Sequence, residues 1–283
     1  MNILLDLLIR VWETFIVDRK YIPTKKTELY RIKNAVLNQV PEQDQVVIEE
    51  ALTMQVDQVG NYTILCTPSD IKSLVVGFLF AQNIIKTFDD VAAISIDKFN
   101  VQAQVKHPAQ IIGKKNLLVT SSCGLCETNI EKVLNTMPVC GNTLTFSAAD
   151  LGAVVKKLQT KQEIFQQTGG THAAGIFNAD GDLVSFSEDL GRHNALDKAI
   201  GSCLLKNYNT RGCGVVLSSR ISFEMVTKAA RAGIEMIVAV SAPSSLAICA
   251  AKKWNITLCG FVRGDNANIY TGVERVRGSS LEF

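Results

Sequence analysis

GVVLSSRISFEMVTKAARAGIEMIVAVSAPSSLAICAAKKWNITLCGFV, residues 214–262, decides the fold. Short runs rich in Val, Ile and Leu at 214–218, 237–241 and 257–262 alternate with helical patterns at 222–232 and 244–253. A further helical pattern, 194–205, stands before the first run. Strands and helices alternating over such short links call for a crossover sheet with helices on its faces, an α/β fold. Ligands of such sheets sit outside the carboxyl ends of the strands. That rule selects Ser218-Ser219-Arg220, Ser241-Ala242-Pro243-Ser244 and Val262-Arg263-Gly264-Asp265-Asn266, two of which carry an arginine.

Upstream, 173–177 and 183–187 form a hairpin over Asn178-Ala179-Asp180-Gly181. The earlier third reads as a smaller α+β section. Strands at 52–56 and 62–66 flank a turn, Thr67-Pro68 starts a helix with Thr67 as its cap, and 91–96 and 101–105 are two more strands. An apolar run at 117–120 leads to a helix from about 129, and Ser147 caps another through 157. Residues 20–45, polar and basic, read as an irregular connection, and 1–20 as an apolar-striped helix docked on its own domain or on a second copy. The expected divisions are 1–45 (helix and linker), 46–110 (α+β subdomain), 111–160 (cysteine loop and connecting helices) and 161–283 (C-terminal α/β portion).

Of 283 residues, 47% are apolar and 20% charged, a globular balance. A net charge of +2 is too small for a chain that coats nucleic acid, though it leaves room for a local basic pocket. Asp6, Arg10, Glu13 and Asp18 interrupt the N-terminal stripe, so no membrane span is expected there and the pattern does not suit a secretory leader. Eight cysteines, of which only Cys123 and Cys126 are close-spaced, read as reduced cytosolic thiols. Cys203, Cys213, Cys249 and Cys259 read as inert packing.

Cys123-Gly124-Leu125-Cys126 follows a short apolar run and precedes a helix, a setting that lowers a thiol pKa and makes it nucleophilic. A structural zinc site would need a second ligand pair, which three histidines, His107, His172 and His193, supply poorly. A zinc nucleobase deaminase needs a glutamate two residues after its histidine; Ala174 follows His172 at that distance, and the cysteine pair stands on the wrong side. Disulfide exchange and sulfur carriage as a persulfide both remain compatible with the spacing. Two further blocks carry polar groups into turns: Gly169-Gly170-Thr171-His172, and Glu188-Asp189-Leu190-Gly191-Arg192-His193-Asn194.

Taken together these blocks resemble the formate dehydrogenase accessory sulfurtransferase family (FdhD). The resemblance runs in order from about 46 to 271 through Gly77-Phe78-Leu79, the cysteine pair, 169–174, EDLGRHNALDK (188–198), SRISFE (219–224), VSAPSSLA (240–247) and TLCGFVRGDNANIY (257–270). Glu127 stands where the family usually has glycine, and Gln82-Asn83 where Glu-Gly is common. The resemblance implies a cytoplasmic sulfur carrier. It would take persulfide sulfur from a cysteine desulfurase and pass it to the Mo-bis(molybdopterin guanine dinucleotide) cargo of the formate dehydrogenase apoenzyme. It further implies a homodimer and a cytidine-deaminase-like three-layer α/β/α sandwich used without zinc. Cys123 matches the sulfur-carrying residue and Phe261, Val262, Arg263, Gly264, Asp265 and Asn266 the cargo-contacting segment. Arg220, Ser219, Ser244, His172, Arg192 and His193 are expected around a cargo with two pyrophosphates, which wants arginine forks and helix N-termini. Cys126 is the expected partner for reduction. A cofactor-holding chaperone with idle cysteines and a thioredoxin-like oxidoreductase are the alternatives.

Overall fold

A computed structural model describes residues 22–106, 115–119 and 130–278. The N-terminal stripe, His107, the Cys123/Cys126 loop and the last five residues lie outside these. In chain order the strands are β1 (Thr24–Leu29), β2 (Ile32–Lys33), β3 (Val36–Leu37), β4 (Glu42–Val47), β5 (Glu50–Val56), β6 (Gly60–Cys66), β7 (Val91–Asp97), β8 (Asn100–Val105) and β9 (Lys115–Val119). They continue with β10 (Phe146–Ser147), β11 (His172–Phe177), β12 (Leu183–Asp189), β13 (Gly214–Leu217), β14 (Met236–Ala239), β15 (Thr257–Arg263), β16 (Asn266–Thr271) and β17 (Val276–Arg277). The helices are α1 (Ile71–Ala81), α2 (Ile130–Thr136), α3 (Leu151–Lys161), α4 (Glu163–Thr168), α5 (Arg192–Leu205), α6 (Phe223–Arg231) and α7 (Ser245–Lys253).

The main sheet has the order β12-β11-β13-β14-β15-β16, with β13, β14 and β15 parallel and the other pairings antiparallel. Its side chains alternate with the two-residue period of a strand. Val215, Leu217, Ile237, Ala239 and Leu258 join the core built by α5, α6 and α7, whereas Val216, Met236, Val238 and Cys259 pack on Leu151, Val154, Val155 and Leu158 of α3. Both faces are therefore covered, which is why these strands are apolar throughout. A second sheet, β7-β8-β5-β6-β9, lays Leu52, Met54, Tyr62 and Ile64 on α1, where the Tyr62 and Phe78 rings meet edge-on at 5.1 Å.

α1 and α5 join the two sections. Their crossing is so close that a β-carbon on Gly77 would stand 1.9 Å from the Asp197 carbonyl, and one on Gly201 1.9 Å from that of Ser73. Beside it lies a buried ion pair, Asp189 with Lys198 at 2.8 Å, both side chains wholly inaccessible. Thr67, Gly191 and Asn194 donate hydrogen bonds to the same carboxylate, and the Lys198 ammonium also donates to the carbonyls of Thr67 and Glu188.

Several sequence expectations are corrected. Residues 24–47 are not irregular: β1 pairs with β4, and β2–β3 caps the ribbon. The first helix begins at Ile71, not at Thr67; Asp70 precedes it in a left-handed conformation (φ 51°). The threonine hydroxyl accepts from the Leu190 amide rather than capping a helix. α5 begins at Arg192, two residues before the expected start, so Arg192 and His193 are helical. α4 and β16 were not foreseen. Asn83 sits at φ 60°, a conformation asparagine tolerates better than most residues. Of the four cysteines read as packing, Cys249 is exposed. The thiols of Cys203 and Cys259 are pushed up by burial to about 11 and about 12, as are those of Cys140 and Cys66.

Candidate functional site

Because β13, β14 and β15 are parallel, their carboxyl ends open on one edge of the sheet. β11 runs against β13 and starts there with His172, and β12 ends there with Asp189, the register partner of His172. Arg192, Ser222 and Ser244 place the starts of α5, α6 and α7 on the same edge. The loops after β13 and β14 are laced together, the Ile221 amide donating to Ala242 and the Ser244 amide to Ile221. β9 ends with Val119 paired to Ile64, three residues before Thr67, which bonds Asp189 and Leu190. The chain thus leaves the described residues before Cys123 from a strand neighbouring this joint.

Three groups at this edge are uncommitted. The Arg192 Nε is buried without a hydrogen-bond partner, and neither Arg192 nor the exposed Arg220 makes an ion pair among the described residues. The third is the half-buried His172 ring, whose pKa is lowered first by burial and then by the positive charges of Arg192 and Arg220. Asp189 opposes this only weakly, being already shared with Lys198. Two unneutralised guanidinium groups and a neutral imidazole are the kind of donors that an anion requires.

Other expected groups are differently employed. The Ser218 hydroxyl accepts from the Ala173 amide, that of the buried Ser219 donates to the Arg220 carbonyl, and Ser244 caps α7 by accepting from Ala247. These bonds hold the loops, and the Ser218 and Ser244 hydroxyls, being acceptors in them, keep their protons for a further partner. His193 is buried on α5 with its Nε2 3.1 Å from a Glu224 oxygen. Glu188 accepts from the amides of Ile164 and Phe165 at the start of α4 and from the Thr171 hydroxyl. Gly169 ends α4 at φ 65°, so its glycine is a helix-stop requirement.

Phe261 to Asn266 form the end of β15 and its turn into β16. The Val262 side chain is buried; Phe261, Arg263, Gly264, Asp265 and Asn266 are exposed. Phe261 occupies a left-handed conformation (φ 53°) at a register irregularity between Gly260 and Arg263, with its ring 40% exposed. An aromatic residue held there is strained by about 1–3 kcal/mol, and packing does not explain it. Sequence reasoning missed the Asp197 carboxylate on α5, which pairs with Lys228 of α6 at 2.6 Å; burial lifts its pKa to about 6. Its signal was the polar run inside an otherwise apolar helix.

Next to His172 is a cavity of about 500 Å³, walled by Leu158, Gln159, Gln162, Phe165, Ser218 and Val240 among others. No group of three or more potential metal-ligating side chains occurs among the described residues, and no helix there is long and apolar enough to cross a membrane.

A sequence model of the FdhD/NarQ family matches residues 47–277. The chain is 37% identical to a sulfur carrier protein FdhD of Sulfurisphaera tokodaii over 89% of its own length and 98% of that protein's. A protein of the same name from Nocardia farcinica is 36% identical, with 86% and 91% covered, and one from Bordetella bronchiseptica 34%, with 88% and 94% covered. A crystal structure from Desulfotalea psychrophila, provisionally described as a formate dehydrogenase accessory protein, superposes with a TM-score of 0.74. It has 23% identity and covers 90% of this chain and all of that one, a likeness of fold.

Proposed function

The chain belongs to the FdhD/NarQ family, and from that membership we propose that it carries sulfur on Cys123 and grips an anionic pterin-nucleotide cargo at the carboxyl edge of its main sheet. It is a sulfur carrier. The cargo in this reading is the Mo-bis(molybdopterin guanine dinucleotide) of a formate dehydrogenase, the donor is a cysteine desulfurase, and the exchange takes place in the cytoplasm. The scaffold is of the cytidine-deaminase-like kind, put to use without zinc. The observation that carries the proposal is the pair of unneutralised guanidinium groups, Arg192 and Arg220, whose positive charge is felt by His172.

The chemistry balances as two displacements. The Cys123 thiolate attacks the outer sulfur of the donor persulfide, the donor cysteine leaves as thiolate, and Cys123 keeps the sulfur as S–SH. The Cys126 thiolate then attacks the inner sulfur, hydrosulfide leaves toward the cargo, and the Cys123–Cys126 disulfide is reset by a dithiol reductant. Arg192 and Arg220 hold pyrophosphate oxygens meanwhile, and the strained Phe261 and exposed Arg263 close the far side. Incubated with a desulfurase and cysteine, the protein gains one sulfur atom by mass spectrometry, and Cys123→Ala gains none and no longer activates formate dehydrogenase. Sulfur uptake and activation by Cys123→Ala would overturn the assignment.

A further inference from the structure

The ribbon of β1 to β4 ends in an apolar tip that covers nothing. Among the described residues thirteen large apolar side chains stand exposed, and five of them, Tyr30, Ile32, Val36, Leu37 and Val40, fall between 30 and 40, each 55–69% open. Every residue from 30 to 41 is exposed. The tip is nevertheless well defined. Asn34 (φ 51°) and Ala35 (φ 62°) make a two-residue turn with both centres left-handed, which pairs Ile32 with Leu37 on one face. A two-stranded ribbon without a packed face is marginal in water, and clustered apolar side chains at its end mark a contact surface.

The same chain carries a matching surface close by. Leu4, Leu7, Leu8, Val11 and Phe15, with Trp12 and Ile16 beside them, repeat at helical spacing, and Asp6, Glu13 and Asp18 bring carboxylates to a ribbon with exposed Lys25, Lys26 and Lys33. The segment joins the described chain at Ile22, the root of β1. From that root, Ile32 is ten residues up the ribbon, about 33 Å at the rise of a strand. A helix from Ile16 back to Leu4 covers about 18 Å, and the link from 16 to 22 spans up to about 20 Å when extended, so the stripe reaches the tip. Both surfaces lie outside the residues matched by the family model, 47–277.

We propose that residues 4–16 dock, as a helix, on the Ile32–Leu37 face of the ribbon of their own chain. A five-residue tether holds the stripe beside that face at high effective concentration, whereas a second copy pays the full cost of association. The docked helix gives the ribbon the third layer it lacks. The inference concerns a surface apart from the carboxyl edge of the main sheet and does not depend on the cargo.

Trp12 reports the contact in the full chain. It is one of two tryptophans, and the other, Trp254, is wholly buried, so acrylamide quenching reads Trp12. In the native protein Trp12 is shielded. Ile32→Glu with Leu37→Glu, both at exposed positions, raises its quenching threefold or more and moves its emission to the red. Leu8→Glu, placed in the stripe itself, does the same if the ribbon variant does not fold. Ready quenching in the native protein, or no change in either variant, overturns the proposal. A chain with the altered ribbon is then co-expressed with a Trp12→Phe chain whose ribbon is native. Own-chain docking leaves Trp12 exposed in that mixture; restored shielding seats the stripe on a second copy and overturns the assignment. Shielding that arises only on adding phosphatidylglycerol vesicles assigns the stripe to a membrane surface and overturns it equally.

Discussion

At the scale of the residue, the site works through groups that the fold leaves unpaired. His172 is held neutral because burial and two arginines disfavour its cation. An anion bound between Arg192 and Arg220 offsets that positive field, so the ring's pKa rises in the complex and binding takes up a proton. Affinity therefore increases as pH falls through the bound ring's pKa and levels off below that of the free ring. Sulfate, which does not titrate in this range, isolates the effect: its binding strengthens from pH 8 to pH 5.5 in the native protein and stays flat in His172→Gln. The chemical types at this edge, histidine and two arginines near strand ends, were readable from the sequence. Their freedom was not, because the same stretch holds Glu188 and Asp189, which look equally available and are both fully committed inside the molecule.

At the scale of the element, the α1–α5 crossing is fixed by two glycines with carbonyl groups pressed against them. Gly77→Ala or Gly201→Ala forces the helices apart and costs about 3 kcal/mol, a lowered unfolding midpoint in urea with little change in slope. Alternating strands and helices from 214 to 262 were legible because local pattern and tertiary role agree: these strands are buried on both faces and Ser222 and Ser244 cap the helices they precede. Thr67 shows the opposite case. Thr-Pro-Ser-Asp has every local mark of a helix start, but the threonine's amide and hydroxyl are claimed by Asp189 and Leu190, more than a hundred residues away in sequence. Residues 24–47 escaped notice for a related reason: a two-stranded ribbon in which no side chain is fully buried has no apolar face to reveal its alternation.

At the scale of the whole molecule, the Asp189–Lys198 pair ties the section that ends in β9 to the sheet that holds the anion site. Lys198→Met leaves a buried carboxylate without its cation and costs about 3–5 kcal/mol, whereas removing both charges in Asp189→Asn with Lys198→Met recovers part of that loss. Thermal unfolding of the two variants makes the comparison. The joint also explains why the 188–198 block is so rich in polar residues: Glu188, Asp189, Asn194 and Lys198 build the frame. The account as a whole separates the sulfur-carrying cysteine from the anion grip. Arg220→Ala, at an exposed position that the fold does not need, tests that separation most directly, with sulfur loading on Cys123, pyrophosphate affinity and formate dehydrogenase activation measured on one preparation. The account predicts native loading, binding weakened about tenfold or more, and activation lost; native affinity together with full activation would contradict it.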